Sequence, residues 1–197
     1  MSDPQPPQSD PLPPHTDPQA PQSDPQPPPS DAPVLPTDRR IRPARPDDTA
    51  AIVGLVYELA EYEKLPNECH LTDQLLRDAL FGRSPAVFGH VAVVGGQIVG
   101  YTLHFLNYST WEGVHGIYLE DLYVRPEHRG SGLGKAMLVN LAEIAVRSGY
   151  ARVEWSVLDW NASAIAFYAS LGAVGMSGWS VFRLSGPALV RTGQGIG

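Results

Sequence analysis

Between Arg129 and Lys135 the chain reads Arg-Gly-Ser-Gly-Leu-Gly-Lys. Gly130, Gly132 and Gly134 leave the backbone bare, and a cation stands at each end. Ahead of this turn, apolar Ile117, Leu119, Leu122 and Val124, with Tyr118 and Tyr123, spell a strand. Pro126 ends it, because proline has no amide proton for a ladder. Behind the turn, Leu138, Leu141, Ile144 and Ala145 recur at helical spacing, with Met137 and Ala142 beside them. A strand, a bare turn and a helix N-terminus make an anion site. Free amide protons and the helix dipole converge there, and missing side chains let a phosphate reach the backbone.

Spacing narrows the ligand. A P-loop needs a glycine where Arg129 stands and a Ser or Thr where Ala136 stands. The dinucleotide fingerprint G-x-G-x-x-G needs a glycine where Lys135 stands, counted from Gly130. The pattern is instead Arg129-x-x-Gly132-x-Gly134. It resembles the pyrophosphate loop of the GCN5-related N-acetyltransferase (GNAT) superfamily, which grips acetyl-coenzyme A.

Other blocks extend that resemblance over residues 41 to about 186. Ile41-Arg42-Pro43-Ala44 looks like the superfamily's first strand. Tyr118-Leu119-Glu120-Asp121, Trp160-Asn161 and Phe167-Tyr168 resemble the diamine acetyltransferase family. Tyr108-Ser109-Thr110-Trp111 and Val157-Leu158-Asp159-Trp160-Asn161 look most like its thialysine N-epsilon-acetyltransferase branch. The resemblance implies an α/β GNAT fold: a mixed, mostly antiparallel sheet flanked by helices. It implies acetyl-CoA as cosubstrate, a small-molecule primary amine as acceptor, and a homodimer.

It also implies a site, residue by residue. The backbone of Leu122, Tyr123 and Val124 would hold the pantetheine arm. Arg129, Gly130, Ser131, Gly132, Leu133, Gly134 and Lys135 would hold the pyrophosphate. Asn161, Ala162, Ser163 and Ala164 would line the cosubstrate, and Tyr168 would face its sulfur as general acid. Tyr62, Glu63, Glu120, Asp121, Glu154, Trp155 and Ser156 would touch the amine. A primary ammonium has a pKa near ~10.4, so roughly one molecule in a thousand is nucleophilic at neutral pH. The reaction needs a base, and Glu120 is the candidate, directly or through a water. Glu120 and Asp121 are adjacent in a strand and so face opposite ways, unless a bulge turns both into one cleft.

The sequence also departs from its polyamine-specific relatives. Ser109 stands where they carry an aspartate, and the loop Met176-Ser177-Gly178 is shorter and less acidic than theirs. Both departures favour a lysine-like acceptor over a triamine. A protein lysine, an antibiotic, or a catalytically silent acetyl-CoA sensor are the alternative readings.

The remaining elements follow from local signals. Pro46-Asp47-Asp48 opens a first helix with an aspartate N-cap, and Ile52, Leu55, Val56, Leu59 and Ala60 form its buried stripe. Acidic groups at its far end, Glu58, Glu61 and Glu63, oppose the helix dipole and hint at a use. Thr72 caps a second helix that runs to about Leu80. Val87 to Val94 and Gln97 to Tyr108 read as strands joined by Gly95-Gly96. His104 is expected to be a packed or surface histidine rather than a base. Residues 152–157 alternate as a strand, and Asn161 caps a helix over 162–169 whose Ile165 and Phe167 look inward. Trp179 to Leu184 reads as a closing strand.

Residues 1–38 differ in kind. They hold 14 of the 20 prolines, no Lys or Arg, and six aspartates on a seven-residue repeat of the Ser-Asp-Pro type. Such a segment cannot bury enough apolar surface to fold and is expected to be a disordered tail. It lacks the basic start and apolar core of a signal peptide. Its aspartates supply −6 of the formal charge of −7, so residues 39–197 carry only −1. The acidity therefore says little about partners of the folded part, the acetyltransferase domain over 39–186, with 187–197 expected as a C-terminal tail. No apolar run is long enough to span a membrane. The single cysteine, Cys69, excludes an internal disulfide and fits a reducing, cytoplasmic setting. Cys69-His70 is an isolated pair without zinc spacing, so no metal is expected. Neither a nucleic-acid nor a membrane partner is expected.

Overall fold

The computed structural model describes residues 38–195. The expected proline-rich tail lies outside the described residues, except for Asp38. The described elements are β1 (Arg39–Pro43), α1 (Thr49–Tyr62), α2 (Asp73–Phe81), β2 (Phe88–Val94), β3 (Gln97–Ser109), β4 (Val114–Val124), α3 (Leu133–Arg147), β5 (Val153–Glu154), α4 (Ala162–Ser170) and α5 (Gly186–Gly193). The strands form one sheet in the order β1-β2-β3-β4-β5. Every pairing is antiparallel except β4 with β5, which is parallel.

Period-two alternation, shifted at Val99 by a bulge opposite Ala92 and Val93, distributes the core over both faces. Val91, Val93, Tyr101 and Leu103 pack with Ile52 and Leu55 of α1 and Leu76 and Leu80 of α2. On the other face, Ala92, Val99 and Val124 meet Leu133 and Met137 of α3, and Leu119 meets Leu138 and Leu141. Fully burying an aliphatic side chain of this size stabilises by about 1.5–3 kcal/mol, so these contacts fix how α1 and α3 flank the central strands. Gly95 and Gly96 close the β2–β3 hairpin, both with φ in the left-handed region, 55° and 81°.

Two caps stand where the sequence puts them. Thr72 Oγ1 accepts from the Leu75 amide at 3.2 Å, and Asn161 Oδ1 accepts from the Ala164 amide at 3.2 Å. The first helix departs from expectation. Pro46–Asp48 is a 3-10 turn, and Asp48 does not cap α1 with its side chain. Its buried carboxylate instead takes a two-pronged Arg42 guanidinium, at 2.5 and 2.9 Å, and the Arg45 amide at 2.7 Å. A bidentate arginine outweighs a neutral amide as a partner, so Asp48 ties β1 to the start of α1.

Other expectations are corrected. The strand expected over 152–157 pairs only at Val153 and Glu154, because the chain then turns away from β4. Trp179–Leu184 is not a strand; Trp179 is 74% exposed and Phe182 94%. A strand needs a neighbour to pair with, and among the described residues this segment has none. A helix, α5, occupies most of the expected C-terminal tail. In α4, Ile165 faces out while Phe167 packs toward the core.

Candidate active site

β4 pairs with β5 only at Ile117–Val153 and Tyr118–Glu154. Beyond Tyr118, the β5 side of β4 has no ladder partner among the described residues, so the two chains splay. The Tyr118 hydroxyl and Ser156 Oγ, 2.9 Å apart, mark where the wedge opens. The open edge of Leu122 to Val124 presents backbone donors and acceptors along a cleft of about 800 Å³.

A bulge decides what enters that cleft. Leu103 pairs with Asp121 and His104 pairs with Leu119, so Glu120 is the extra residue on β4. The alternation is broken there, and Glu120 and Asp121 both line the cleft. From the end of α1, Tyr62 and Glu63 join them. Three carboxylates thus line one cleft, and none is ion-paired among the described residues. Burial, reinforced by Glu120, pushes the Asp121 carboxyl up to about 6, while a hydrogen bond from the Tyr101 hydroxyl at 3.2 Å opposes the rise. Burial also raises Glu63.

The opposite end of the cleft has the backbone features that suit an anion. Gly130 and Gly132 take φ of 69° and 85°, conformations that favour glycine, and Gly132 ends the turn at the start of α3. No side chain caps this helix, so its first amides point freely into the wedge. Gly134 follows in the first helical turn. A Cβ there would lie 3.8 Å from Phe167 Cζ and 4.0 Å from Leu122 Cδ2, filling the gap between helix, β4 and α4.

α4 supplies the remaining wall. Asn161, Ser163, Ala164, Phe167 and Tyr168 line the cleft. The Tyr168 ring leans on Trp155, with centroids 4.9 Å apart, and on Phe167, at 5.3 Å. Burial raises the Tyr168 phenol above its ordinary range, so it keeps its proton at neutral pH.

Of the other expected site residues, Arg129 lines the cleft and also contacts its surroundings, and five do not line it. The Arg129 Nε donates to the Val124 carbonyl at 2.8 Å, and its guanidinium lies over the Tyr62 and Tyr123 rings at 5.1 and 5.4 Å. It braces the loop against β4. Leu133 is buried in the core. Ser131 bonds the His128 carbonyl through Oγ and receives Arg39 on its own carbonyl. Glu154 is held by Asn107 at 2.6 Å and Arg152 at 2.7 Å, and Trp155 supports Tyr168. Ala162, whose neighbour Asn161 caps α4, does not line the cleft either. Leu59, Val157, Leu158 and Phe167 do line it. All four stand in stretches the sequence singles out, as helix stripe or family motif, but nothing local marks them as cleft residues; the approach of Phe167 to Gly134, for one, exists only in three dimensions.

His104 is not a cleft residue. It stacks on His90 with ring centroids 5.6 Å apart, and burial, then His90, depress its pKa to about 4. It is neutral packing. Among the described residues no cluster of three metal-ligating side chains exists.

The family model for acetyltransferases of the GNAT family matches residues 55–173, more than half of the chain. The chain belongs to the GNAT acetyltransferase family. It is therefore an N-acetyltransferase, an acyl-transferring enzyme. It is 40% identical over 160 residues to the thialysine N-epsilon-acetyltransferase of Bos taurus, covering 76% of this chain and 94% of the relative. The Caenorhabditis elegans protein of the same name is 38% identical over 147 residues, covering 73% and 90%. An L-ornithine N5-acetyltransferase of Arabidopsis thaliana is 42% identical over 92 residues, covering 47% and 40%. Among solved structures, an integron cassette protein from the mobile metagenome of V. cholerae superposes with a TM-score of 0.69. It is 23% identical and covers 81% of this chain and 99% of its own, which establishes the shared fold.

GNAT acetyltransferases use acetyl-CoA as cosubstrate, and the enzyme's cleft fits that group. The uncapped amides of α3 suit a pyrophosphate, the gap at Gly134 admits it, and the unpaired edge of β4 suits an extended, amide-bearing arm.

Proposed function

We propose that the enzyme acetylates the distal amine of a lysine-like amino acid such as thialysine, and diamines or polyamines less well. The observation that carries this reading is the gathering of Glu63, Glu120 and Asp121 in one cleft with Tyr168. The relatives that bear the thialysine name support the choice of acceptor.

Acetyl-CoA supplies the activated acyl group, a thioester. The chain's residues do the rest. The α3 amides and Lys135 hold the pyrophosphate end, and the free edge of Leu122 to Val124 orients the arm. Glu63 and Asp121 draw the ammonium in. Glu120 accepts its proton, directly or through a water, so that the amine nitrogen can bond the acetyl carbon as the carbon–sulfur bond breaks. Tyr168 gives its hydroxyl proton to the departing sulfur and is reprotonated as the nitrogen sheds its second proton on becoming an amide. Initial rates for thialysine and spermidine, measured separately with purified enzyme, test the acceptor. The expected result is a higher kcat/KM for thialysine; a higher value for spermidine would overturn it.

Asp121 gives a prediction with two opposite signs. Its folded pKa, about 6, lies above the unfolded value of 3.8. Ionised Asp121 therefore opposes folding. That cost is absent below about pH 4, grows as pH rises through about 6, and is full at neutral pH. Asp121→Asn should raise the melting temperature at neutral pH by a few degrees, read by calorimetry. It should also lower kcat/KM for a cationic amine at least about tenfold, a site residue that trades stability for function.

We also propose a homodimer in the cytoplasm. Trp179, Val181, Phe182 and Leu184 form an exposed apolar segment of the sort a second copy covers. Light scattering should give twice the chain mass, and a monomer would refute the dimer. Cys69 is a free thiol, as a reducing compartment would keep it.

A further inference from the structure

Lys64 is the one non-glycine among the described residues with positive φ, 63°. It stands just past the end of α1, in a left-handed turn. Its own amide bonds the Glu61 carbonyl at 3.0 Å, and the Leu65 amide bonds the Ala60 carbonyl at 2.9 Å. Glycine is the residue this turn favours, because a Cβ in left-handed backbone is strained. A lysine here gives up stability that glycine would keep.

Its side chain shows what is gained. A cation near a helix C-terminus could fold back onto the last carbonyls. The Lys64 ammonium instead lies 5.5 Å from the centre of the Trp160 ring. Trp160 in turn packs on Tyr62, centroids 5.8 Å apart, and the Tyr62 hydroxyl donates to Asn161 Oδ1 at 3.3 Å. Tyr62 and Asn161 are walls of the cleft, and Glu63 is the adjacent residue. Lys64 does not itself line the cleft; through Trp160 its positive charge stands just outside the wall made by Tyr62, Glu63 and Asn161. Among the described residues no ion pair uses that charge. Two cations do line the cleft, Arg129 and Lys135. Arg129 braces the loop, and Lys135 stands in the first turn of α3 at the anion-binding end.

A cation just outside the wall of an acidic cleft suits a ligand with an ammonium at its far end and an anion a few bonds behind. We propose that Lys64 receives the α-carboxylate of the amino-acid acceptor and is the residue that separates lysine-like acceptors from diamines. This rests on the acceptor class proposed above. For a diamine, the second ammonium meets Lys64 instead and is repelled.

The test uses a matched pair of acceptors, thialysine and bis(2-aminoethyl) sulfide, the same chain without the carboxyl group. Lys64→Gly restores the residue the turn prefers, so its melting temperature should match or exceed that of the wild type. Its KM for thialysine should rise about 10–100-fold, as for loss of a charged hydrogen bond, with kcat nearly unchanged. Its KM for the sulfide should fall, and Lys64→Arg should keep most of the preference for thialysine. Equal changes for the two acceptors, or no change for thialysine, would show that Lys64 is a helix-end cation only. A wild-type enzyme that acetylates the sulfide but not thialysine would refute the acceptor class itself, and the carboxylate role with it.

Discussion

Tyr168→Phe should cut kcat by about 10²–10⁴-fold, the usual contribution of a general acid, while leaving the fold and coenzyme affinity nearly unchanged. The ring is wedged against Trp155 and Phe167, and phenylalanine keeps that volume. Only the hydroxyl is lost, and among the described residues it makes no hydrogen bond whose loss would cost stability. Because burial raises the phenol's pKa, the group holds a proton to give at neutral pH. The check is single-turnover kinetics, which isolates the chemical step. Equal rates for the two proteins would remove Tyr168 from the role of acid.

Gly134→Val should abolish most coenzyme binding in a protein that still folds. Gly132 is the less clean position, since its φ of 85° would strain any side chain and disturb the loop itself. Gly134 carries no such constraint, and its Cβ would make only ordinary contacts with Phe167 and Leu122. A branched side chain would stand between the α3 amides and the edge of β4, where pyrophosphate and arm must pass. We expect the Kd for coenzyme A to rise more than ~100-fold, about 2.7 kcal/mol, with little change in melting temperature. Calorimetry that returns the wild-type Kd from the folded variant would place the coenzyme elsewhere.

What the sequence discloses here is what local chemistry decides. Thr72 and Asn161 cap helices with their own side chains, and Gly95-Gly96 closes its own hairpin. The glycine loop likewise shows its bare, left-handed backbone in its residues, at Gly130 and Gly132. Other features need a partner distant in the chain. The bulge at Glu120 is a matter of register between β3 and β4, and no property of the Glu-Asp pair announces it. Asp48, by contrast, has a near partner that the cap reading overlooks, Arg42 six residues back on β1. Trp179–Leu184 has the residues of a strand, but a strand exists only beside another. Arg129 reads as a phosphate ligand; it lines the cleft, and contacts the sequence does not show, with two tyrosine rings and the Val124 carbonyl, also tie it to β4.

The most direct test of the central claim, that one splayed cleft brings a coenzyme thioester and an amine together at Tyr168, is a crystal structure with coenzyme A bound. The expected structure has the pyrophosphate on the α3 amides, the arm bonded along Leu122 to Val124, and the sulfur within hydrogen-bond reach of the Tyr168 hydroxyl. A coenzyme bound outside the wedge, or a sulfur turned away from Tyr168 and Glu120, would contradict it.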